Sequence, residues 1–226
     1  MLLAISVLSD RLMSNGHYIA VEGPIGVGKT SLARILSEHY YAQLTLEHPE
    51  ENPFLPDFYR DPARWALETQ LIFLLSRHRQ QSEINQVNLF HQSIVSDYII
   101  EKDGIFARLN LNERELQLYY QIAKTLTKDV PVPDLVIFLK ASVDRLVTNI
   151  RVRDIPYESF IEKPYMEDLC SSYNSFFKSW DSSPVLVVNT NEIDFVNNPS
   201  HKRVIIKYIE LVMDEKFKGT VEVSLD

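Results

Sequence analysis

The chain has too few cysteines for a disulfide framework or a multi-cysteine zinc site, because its 226 residues include only Cys170. A single thiol excludes an internal disulfide and is typical of a protein from a reducing compartment. No apolar run approaches the roughly 18 residues that a membrane-crossing helix needs. We therefore expect a cytoplasmic protein without a membrane partner.

An excess of positive charge is also missing. The formal net charge is -8 at pH 7, whereas a surface that binds a nucleic acid duplex needs clustered lysine and arginine in excess. A nucleic acid polymer is therefore not an expected partner. A small phosphorylated ligand remains compatible, since it needs only a local pocket of positive potential.

The chain is expected to form one domain over residues 17–226. Its 45% hydrophobic content is enough for a single buried core, and no repeat, low-complexity tract or linker divides it. The apolar opening MLLAISVL lacks a basic leader and a small-residue cleavage site, so we do not expect a signal peptide. Residues 1–16 are predicted to be an N-terminal tail of unknown role.

Strand-like and helix-like segments alternate along the chain. Five short runs, most of them rich in β-branched residues, are predicted strands, and apolar residues at spacings of three and four between them predict helices. One long helix is expected from Asp61 to about Gln86, and a second from the N-cap Asn112 to about Lys124. This alternation predicts an α/β fold with a doubly wound, five-stranded parallel sheet, helices on both faces, and ligands at the carboxyl ends of the strands. The predicted strands are residues 17–22, 44–47, 93–97, 134–140 and 185–189.

A glycine-rich motif follows the first predicted strand and precedes a helix. Residues Gly23 to Thr30 spell GPIGVGKT, a complete G-x-x-x-x-G-K-[ST] string that predicts a P-loop NTPase fold binding a nucleoside triphosphate and Mg²⁺. The loop's backbone N–H groups would surround the phosphates, Lys29 would contact the β and γ oxygens, and the Thr30 hydroxyl would bind magnesium. The motif leaves the phosphate acceptor open. The predicted nucleotide-binding residues of the motif are Gly23, Gly26, Val27, Gly28, Lys29, Thr30 and Ser31.

The next segment indicates the acceptor. LEHPEENPFLPDFYRDPARWALETQ resembles the bacterial deoxynucleoside kinase segment that runs from E-P-V-E-E-N-P-F-L into F-Y-x-D-P-x-x-W-A-x-x-T-Q, in the family's order after the phosphate loop. The resemblance implies a kinase that transfers the γ-phosphate of ATP to the 5′-hydroxyl of a deoxynucleoside in nucleotide salvage. It also implies a preference for purines and a homodimer.

The resemblance assigns roles within an acceptor pocket. Glu47 matches the general base that contacts the 5′-hydroxyl, and a carboxylate there can align the hydroxyl and accept its proton. Tyr59 and Glu158 match the contacts to the sugar 3′-hydroxyl, and Gln70 matches the amide that binds the base. Two further side chains have plainer alternatives, a core position for Trp65 and a solvated helix face for Asp103. The implied pocket residues are Glu47, Tyr59, Trp65, Gln70, Asp103 and Glu158.

Three more segments follow the family pattern. Asp97, in SIVSDY, lies where the family has an acid that assists with magnesium, so it is expected to act with Thr30. The segment IRVRDIPYE resembles the lid motif R-x-R-G-R-x-x-E, which makes Arg151 and Arg153 candidate catalytic cations. Alternatively, these arginines only offset the negative pole of a helix end. VVNTNEIDFVNNP resembles the loop around adenine. The candidate adenine neighbours are Asp194 and Phe195.

Two departures from the family pattern remove arginines. Tyr98 replaces the arginine of the Glu-Arg-Ser or Asp-Arg-Ser triplet, and Ile155 replaces a lid arginine; Lys102, Arg108 and Arg151 are candidate substitutes. Two other functions therefore stay open. One is a nucleotide-binding, weakly catalytic subunit or regulator on the same fold, and the other is a kinase of another small-molecule alcohol.

Overall fold

A parallel β-sheet forms the centre of the molecule, as seen in a computed structural model that describes residues 16–88, 93–128, 130–214, 217 and 219–225. The strand order is β2-β3-β1-β4-β5-β6, and every neighbouring pair runs parallel. Helices flank the sheet, as the alternating pattern predicted. The strands are β1 (Tyr18–Glu22), β2 (Gln43–Thr45), β3 (Ile94–Ser96), β4 (Leu135–Lys140), β5 (Val185–Asn189) and β6 (Thr220–Glu222).

The five predicted strands are confirmed, but the strand count of five was wrong. The sixth strand, β6, is three residues long and pairs with β5 at the edge of the sheet. Backbone hydrogen bonds hold it there, with Val185 N–H donating to the Gly219 carbonyl at 2.9 Å and Val223 N–H donating to the Val187 carbonyl at 2.9 Å. Thr220 and Glu222 are exposed, so the segment lacks the apolar pattern by which a buried strand is predicted.

The helices confirm the two long helical predictions. The helix expected from Asp61 begins at Pro62, and Asn112 caps the next long helix in a reciprocal capping box with Glu115. None of the helices in the described ranges has the length and apolar character needed to cross a bilayer. The helices are α1 (Lys29–Tyr40), α2 (Leu55–Arg60), α3 (Pro62–Asn88), α4 (Lys102–Asn110), α5 (Glu113–Leu126), α6 (Val143–Arg153), α7 (Lys163–Lys178) and α8 (Pro199–Asp214), with 3₁₀ turns at Pro49–Glu51 and Pro156–Phe160.

The sheet core places the polar residues of the site at one edge. All five β1 residues are buried, as are the three residues of β3, so these strands are covered on both faces. The phosphate loop follows β1, Glu47 follows β2, and Asp97 follows β3. Because carboxyl ends of parallel strands share one edge, these three segments meet above the sheet.

Glu22 connects this edge of the sheet to its surroundings. Its carboxylate is fully buried, and it accepts hydrogen bonds from Gly23 N–H at 2.8 Å, Ile99 N–H at 3.0 Å and the Tyr173 hydroxyl at 3.0 Å. The carboxylate thus joins the start of the phosphate loop, the segment after β3, and α7. A buried carboxylate with three donors fixes the relative positions of all three segments.

We predict that Tyr173→Phe lowers the free energy of unfolding by about 2 kcal/mol, because the buried Glu22 carboxylate loses one of its three donors. Tyr208→Phe is the matched control. It removes a hydroxyl that bonds Ser224 at the solvent-exposed surface, and it should change stability by less than about 0.5 kcal/mol. Denaturant titration of both variants measures the difference, and equal effects would contradict a structural role for the Glu22 network.

Candidate active site

The phosphate loop has the conformation that its glycines allow. Gly28 has a φ of 104° and caps α1, which begins at Lys29. A Cβ on Gly23 would lie 2.4 Å from the Leu139 carbonyl oxygen, so only glycine fits between the loop and β4. The Lys29 ammonium donates to the carbonyls of Gly23 at 2.8 Å and Pro24 at 3.1 Å. The loop is therefore folded around its own lysine.

Lys29 is held in a buried environment that disfavours its charge. Burial, and to a lesser extent the nearby Lys102 ammonium, lower the pKa of Lys29 to about 8, although Glu22, Glu47 and Asp97 act in the opposite direction. A phosphate anion beside Lys29 would stabilise its charged form and raise that pKa.

Thr30 and Asp97 form a pair of oxygen donors beside the loop. The Thr30 hydroxyl donates to Asp97 Oδ2 at 2.6 Å, and Asp97 Oδ1 accepts the Glu47 backbone N–H at 2.8 Å. A hydroxyl and a carboxylate that converge next to a phosphate site are the hard oxygen ligands that Mg²⁺ prefers. The two predicted metal ligands are therefore adjacent and fit the ion.

Glu47 lies between two cations. Arg77 Nε donates to Glu47 Oε1 at 2.9 Å, and the Lys102 ammonium donates to Oε2 at 2.8 Å. Burial opposes ionisation of the Glu47 carboxyl, but Arg77 and Lys102 outweigh it and hold its pKa well below the usual range. Arg77 also forms an ion pair with Asp103. A continuous row of buried alternating charges thus runs from Lys102 to Asp103.

These groups line one cavity of about 410 Å³. At its α3 side lie Thr69 and Gln70, both buried, and Gln70 Oε1 has no hydrogen-bond partner among the residues that the structure describes. Buried amide oxygens are rarely left unsatisfied in a finished structure, so this one is available to a ligand. The predicted site residues that line the cavity are Gly26, Gly28, Lys29, Thr30, Ser31, Glu47, Tyr59, Gln70, Asp97, Arg153 and Glu158.

The lid segment, residues 150–158, forms another side of the cavity. Arg153 forms a two-point contact with Glu158, at 3.0 Å to Oε2 and 2.6 Å to Oε1. Burial raises the pKa of Glu158, although Arg153 acts against the rise. Tyr59 stacks on Tyr157 with ring centroids 6.0 Å apart, and burial together with the neighbouring Tyr165 and Glu158 raises the pKa of Tyr59. The predicted sugar residues therefore share one wall with a lid arginine.

Other predicted residues lie outside the cavity. Arg151 is exposed and lines a second cavity between α6 and the start of α7, together with Ile155. Trp65 stacks on Phe54 with centroids 5.6 Å apart, in agreement with its alternative packing role. Asp103 is buried behind Arg77 and reaches the cavity only through that side chain.

The adenine candidates lie at the outer side of the phosphate loop. A Cβ on Gly28 would meet the Phe195 ring at 3.3 Å, which places Phe195 against the loop. The Asp194 carboxylate accepts from the Val196 and Asn197 backbone N–H groups at 3.1 and 2.9 Å, so it caps its own turn. Neither of these residues lines the described cavity, and neither do Gly23 and Val27.

Arg77 and Asn149 are polar cavity residues that the sequence analysis missed, and both had a signal. Arg77 follows Gln70 by seven residues, or two helical turns, so the two side chains share a face of α3. Asn149 precedes Arg153 by one turn of α6, and its amide donates to the Gly26 carbonyl at 2.8 Å, which ties the lid helix to the phosphate loop. The helical spacing from an assigned residue would have identified each of them.

Tyr98 does not take the position of a cation. Its side chain is fully buried in the core and is not among the described residues that line the cavity. Of the candidate substitutes, Arg108 bonds the Tyr120 hydroxyl at the surface, and Arg151 lies at the second cavity. Lys102 contacts Glu47 directly.

Comparison with known proteins finds relatives along most of the chain. The profile of the family described as "Deoxynucleoside kinase" matches residues 19–214. A deoxyguanosine kinase of Bacillus subtilis is 35% identical over 207 residues, which cover 89% of this chain and 100% of the relative. A deoxyadenosine kinase of Lactobacillus acidophilus is 29% identical over 216 residues, covering 88% of this chain and 96% of the relative.

Solved structures share the fold. A deoxyadenosine kinase from M. mycoides with bound dATP superposes with a TM-score of 0.75 at 23% identity, covering 85% of this chain and 98% of that one. The same enzyme with bound dCTP gives a TM-score of 0.74 at 24% identity and covers 86% and 99%. At this identity the likeness supports the fold alone.

We predict that binding of ATP, with Mg²⁺ in excess, takes up about half a proton at pH 8. Burial lowers the pKa of Lys29 to about 8, so about half of it is protonated at pH 8, and the bound triphosphate should raise that pKa so that the rest takes up a proton from the buffer. Calorimetry in buffers of different ionisation enthalpy measures this uptake, which should vanish at about pH 6. Lys29→Arg is the control, since guanidinium stays charged; uptake in that variant would show that another group is responsible.

Proposed function

The chain belongs to the deoxynucleoside kinase family, and from that membership we propose that it transfers the γ-phosphate of ATP to the 5′-hydroxyl of a deoxynucleoside. The observation that carries the proposal is the single cavity in which the phosphate loop, the ionised Glu47 and the unsatisfied Gln70 amide lie together. Such a cavity accommodates a phosphate donor at one end and a nucleoside at the other. The physiological role is nucleotide salvage.

Glu47 aligns the acceptor in this proposal. Arg77 and Lys102 keep its carboxylate ionised, so it can accept a hydrogen bond from the 5′-hydroxyl and take the proton as the bond to phosphorus forms. Asp97 positions Glu47 through its backbone N–H. Since phosphoryl transfer needs little covalent help from the protein, this alignment and the surrounding cations supply most of the catalysis.

Thr30 and Asp97 are the proposed protein ligands of Mg²⁺, which would neutralise charge on the phosphates when bound. Arg153 is the lid cation that lines the described cavity. It is currently held by Glu158, which the family pattern assigns to the sugar 3′-hydroxyl. A sugar hydroxyl bound to Glu158 would compete with this contact and release Arg153 toward the phosphates.

A purine is the proposed base. The relatives reported above are named for deoxyguanosine and deoxyadenosine, and Gln70 offers a donor and an acceptor that suit the edge of either purine. Arg77 and Thr69 line the same end of the cavity. The side chains proposed to contact the base are therefore polar and lie on α3.

We also propose that the protein is a homodimer. The resemblance implies a dimer built on long helices, and α3 and α5 pack against each other in the described part of the chain. Leu75 on α3 and Leu118 on α5 are more than 40% exposed. These two leucines are the candidate contacts of such a dimer.

Phosphate transfer from ATP to the four common deoxynucleosides, followed by separation of the products, tests the proposed function. We expect 5′-monophosphates, with deoxyguanosine or deoxyadenosine giving the highest kcat/KM. Lys29→Ala should abolish turnover because the phosphates lose their clamp. Clear ATP binding in calorimetry without any phosphorylated nucleoside would refute the kinase assignment in favour of a nucleotide-binding regulator. Product only from a non-nucleoside alcohol would reassign the acceptor.

We predict that Glu47→Gln lowers kcat by about 10² to 10⁴, with KM for the nucleoside changed far less. Gln keeps the shape but removes the proton acceptor, and it leaves Arg77 and Lys102 without their shared counter-charge. Glu47→Asp, which keeps the charge and shifts the carboxylate, should fold normally and still lose kcat. Steady-state kinetics with a thermal melt of each variant provide the measurement; an unchanged kcat with a raised KM would make Glu47 a binding residue instead.

A further inference from the structure

Position 98, where the family pattern has an arginine, contributes no cation to the end of the cavity at which the phosphoryl group would be transferred. Tyr98 is fully buried and carries no charge, while the lid position 155 is an isoleucine outside the main cavity. A transferring phosphoryl group is stabilised by fixed cations, and loss of one such group commonly costs about 10² to 10³ in kcat. Lys29 and Arg153 remain in the cavity, but a cation beside Glu47 has to come from a position other than 98.

Lys102 contacts the Glu47 carboxylate from α4, the helix that follows β3. It is the first residue of α4, four positions after Tyr98, and its side chain is only 4% exposed. Its ammonium lies 2.8 Å from Glu47 Oε2 and 5.8 Å from the centre of the Phe106 ring, and both Lys102 and Phe106 line the cavity. The ammonium thus lies between the Phe106 ring and the Glu47 carboxylate, inside the cavity.

The surroundings of Lys102 differ from those of an ordinary structural ion pair. Glu47 already has a partner in Arg77, so Lys102 is a second cation on one carboxylate. Lys102 also lies close enough to Lys29 to help lower the pKa of that lysine. Two buried ammonium groups held near each other match a ligand that brings several negative charges.

We propose that Lys102 is a catalytic residue that replaces the missing arginine at position 98, stabilising the transferring phosphoryl group beside the 5′-oxygen. This inference rests on the proposed function. In the step, the 5′-hydroxyl proton passes to Glu47, the bond from the 5′-oxygen to the γ-phosphorus forms, and the bond from that phosphorus to the β-phosphate oxygen breaks. Lys102 keeps its proton throughout and shifts from the Glu47 carboxylate toward the phosphoryl oxygens.

Three variants test the role of Lys102. Lys102→Met removes the charge and keeps the apolar stem, Lys102→Arg restores a cation, and Lys163→Met is the matched control because Lys163 pairs with Asp144 at the surface. We expect Lys102→Met to lower kcat by about 10² to 10³, Lys102→Arg to recover at least about a tenth of wild-type kcat, and Lys163→Met to stay within about twofold. KM for the nucleoside should change far less than kcat.

Thermal melts separate a catalytic role from a structural one. A structural loss would lower the melting temperature of Lys102→Met together with its kcat, whereas a catalytic loss lowers kcat in a variant that melts close to wild type. An unchanged kcat in Lys102→Met would overturn the proposal. So would a Lys102→Arg variant that is as inactive and as thermally unstable as Lys102→Met.

A binding measurement keeps this test independent of turnover. Calorimetry with inorganic tripolyphosphate should show about tenfold weaker binding to Lys102→Met than to wild type, and unchanged binding to Lys163→Met. If wild type binds tripolyphosphate in this Lys102-dependent way but phosphorylates no deoxynucleoside, the proposed function fails while the phosphate contact of Lys102 stands. Equal affinity of wild type and Lys102→Met would overturn the Lys102 proposal by itself.

Discussion

The shared carboxylate of Glu47 is the contact on which the arrangement of the site depends. Its backbone N–H is held by Asp97, and its two oxygens are held by Arg77 and Lys102. These partners lie on the segment after β3, on α3 and on α4. One residue, through its backbone and its side chain, therefore connects three elements that come from distant parts of the chain. Because burial disfavours an unpaired carboxylate, Arg77 and Lys102 together keep Glu47 ionised.

The parts of this arrangement that are local in sequence could be predicted from it. The phosphate loop is one continuous string with a strand before it and a helix after it, so Lys29 and Thr30 follow from the motif alone. Asp97 could be paired with Thr30 because both follow neighbouring parallel strands. β6 could not be predicted, since its three residues are held by backbone hydrogen bonds and carry no apolar pattern.

Side chains whose direction depends on tertiary packing were harder to predict. Arg151 and Arg153 are only two residues apart on α6, about 200° around the helix, so only Arg153 faces the main cavity. The helical spacing of Trp65 fitted either a pocket residue or a core residue, and its stacking on Phe54 shows that it packs against a neighbouring side chain. In both cases the residue type was compatible with either position, and the neighbouring element determined which position the side chain takes.

The distribution of cations also explains how the lid can depart from the family pattern. Asp154 has a φ of 53°, a left-handed conformation at the position where the pattern has glycine, and Ile155 follows where it has arginine. The lid thus contributes Arg153 to the described cavity, whereas Arg77 and Lys102 project from α3 and α4 with side chains 5% and 4% exposed.

Charge that a mobile lid would deliver on closure is here held in place by packed helices. Fixed cations need no reorganisation when charge develops during the reaction. Burial, with a smaller contribution from Lys102, lowers the pKa of Lys29, and the negative charge of a bound triphosphate would act against both causes.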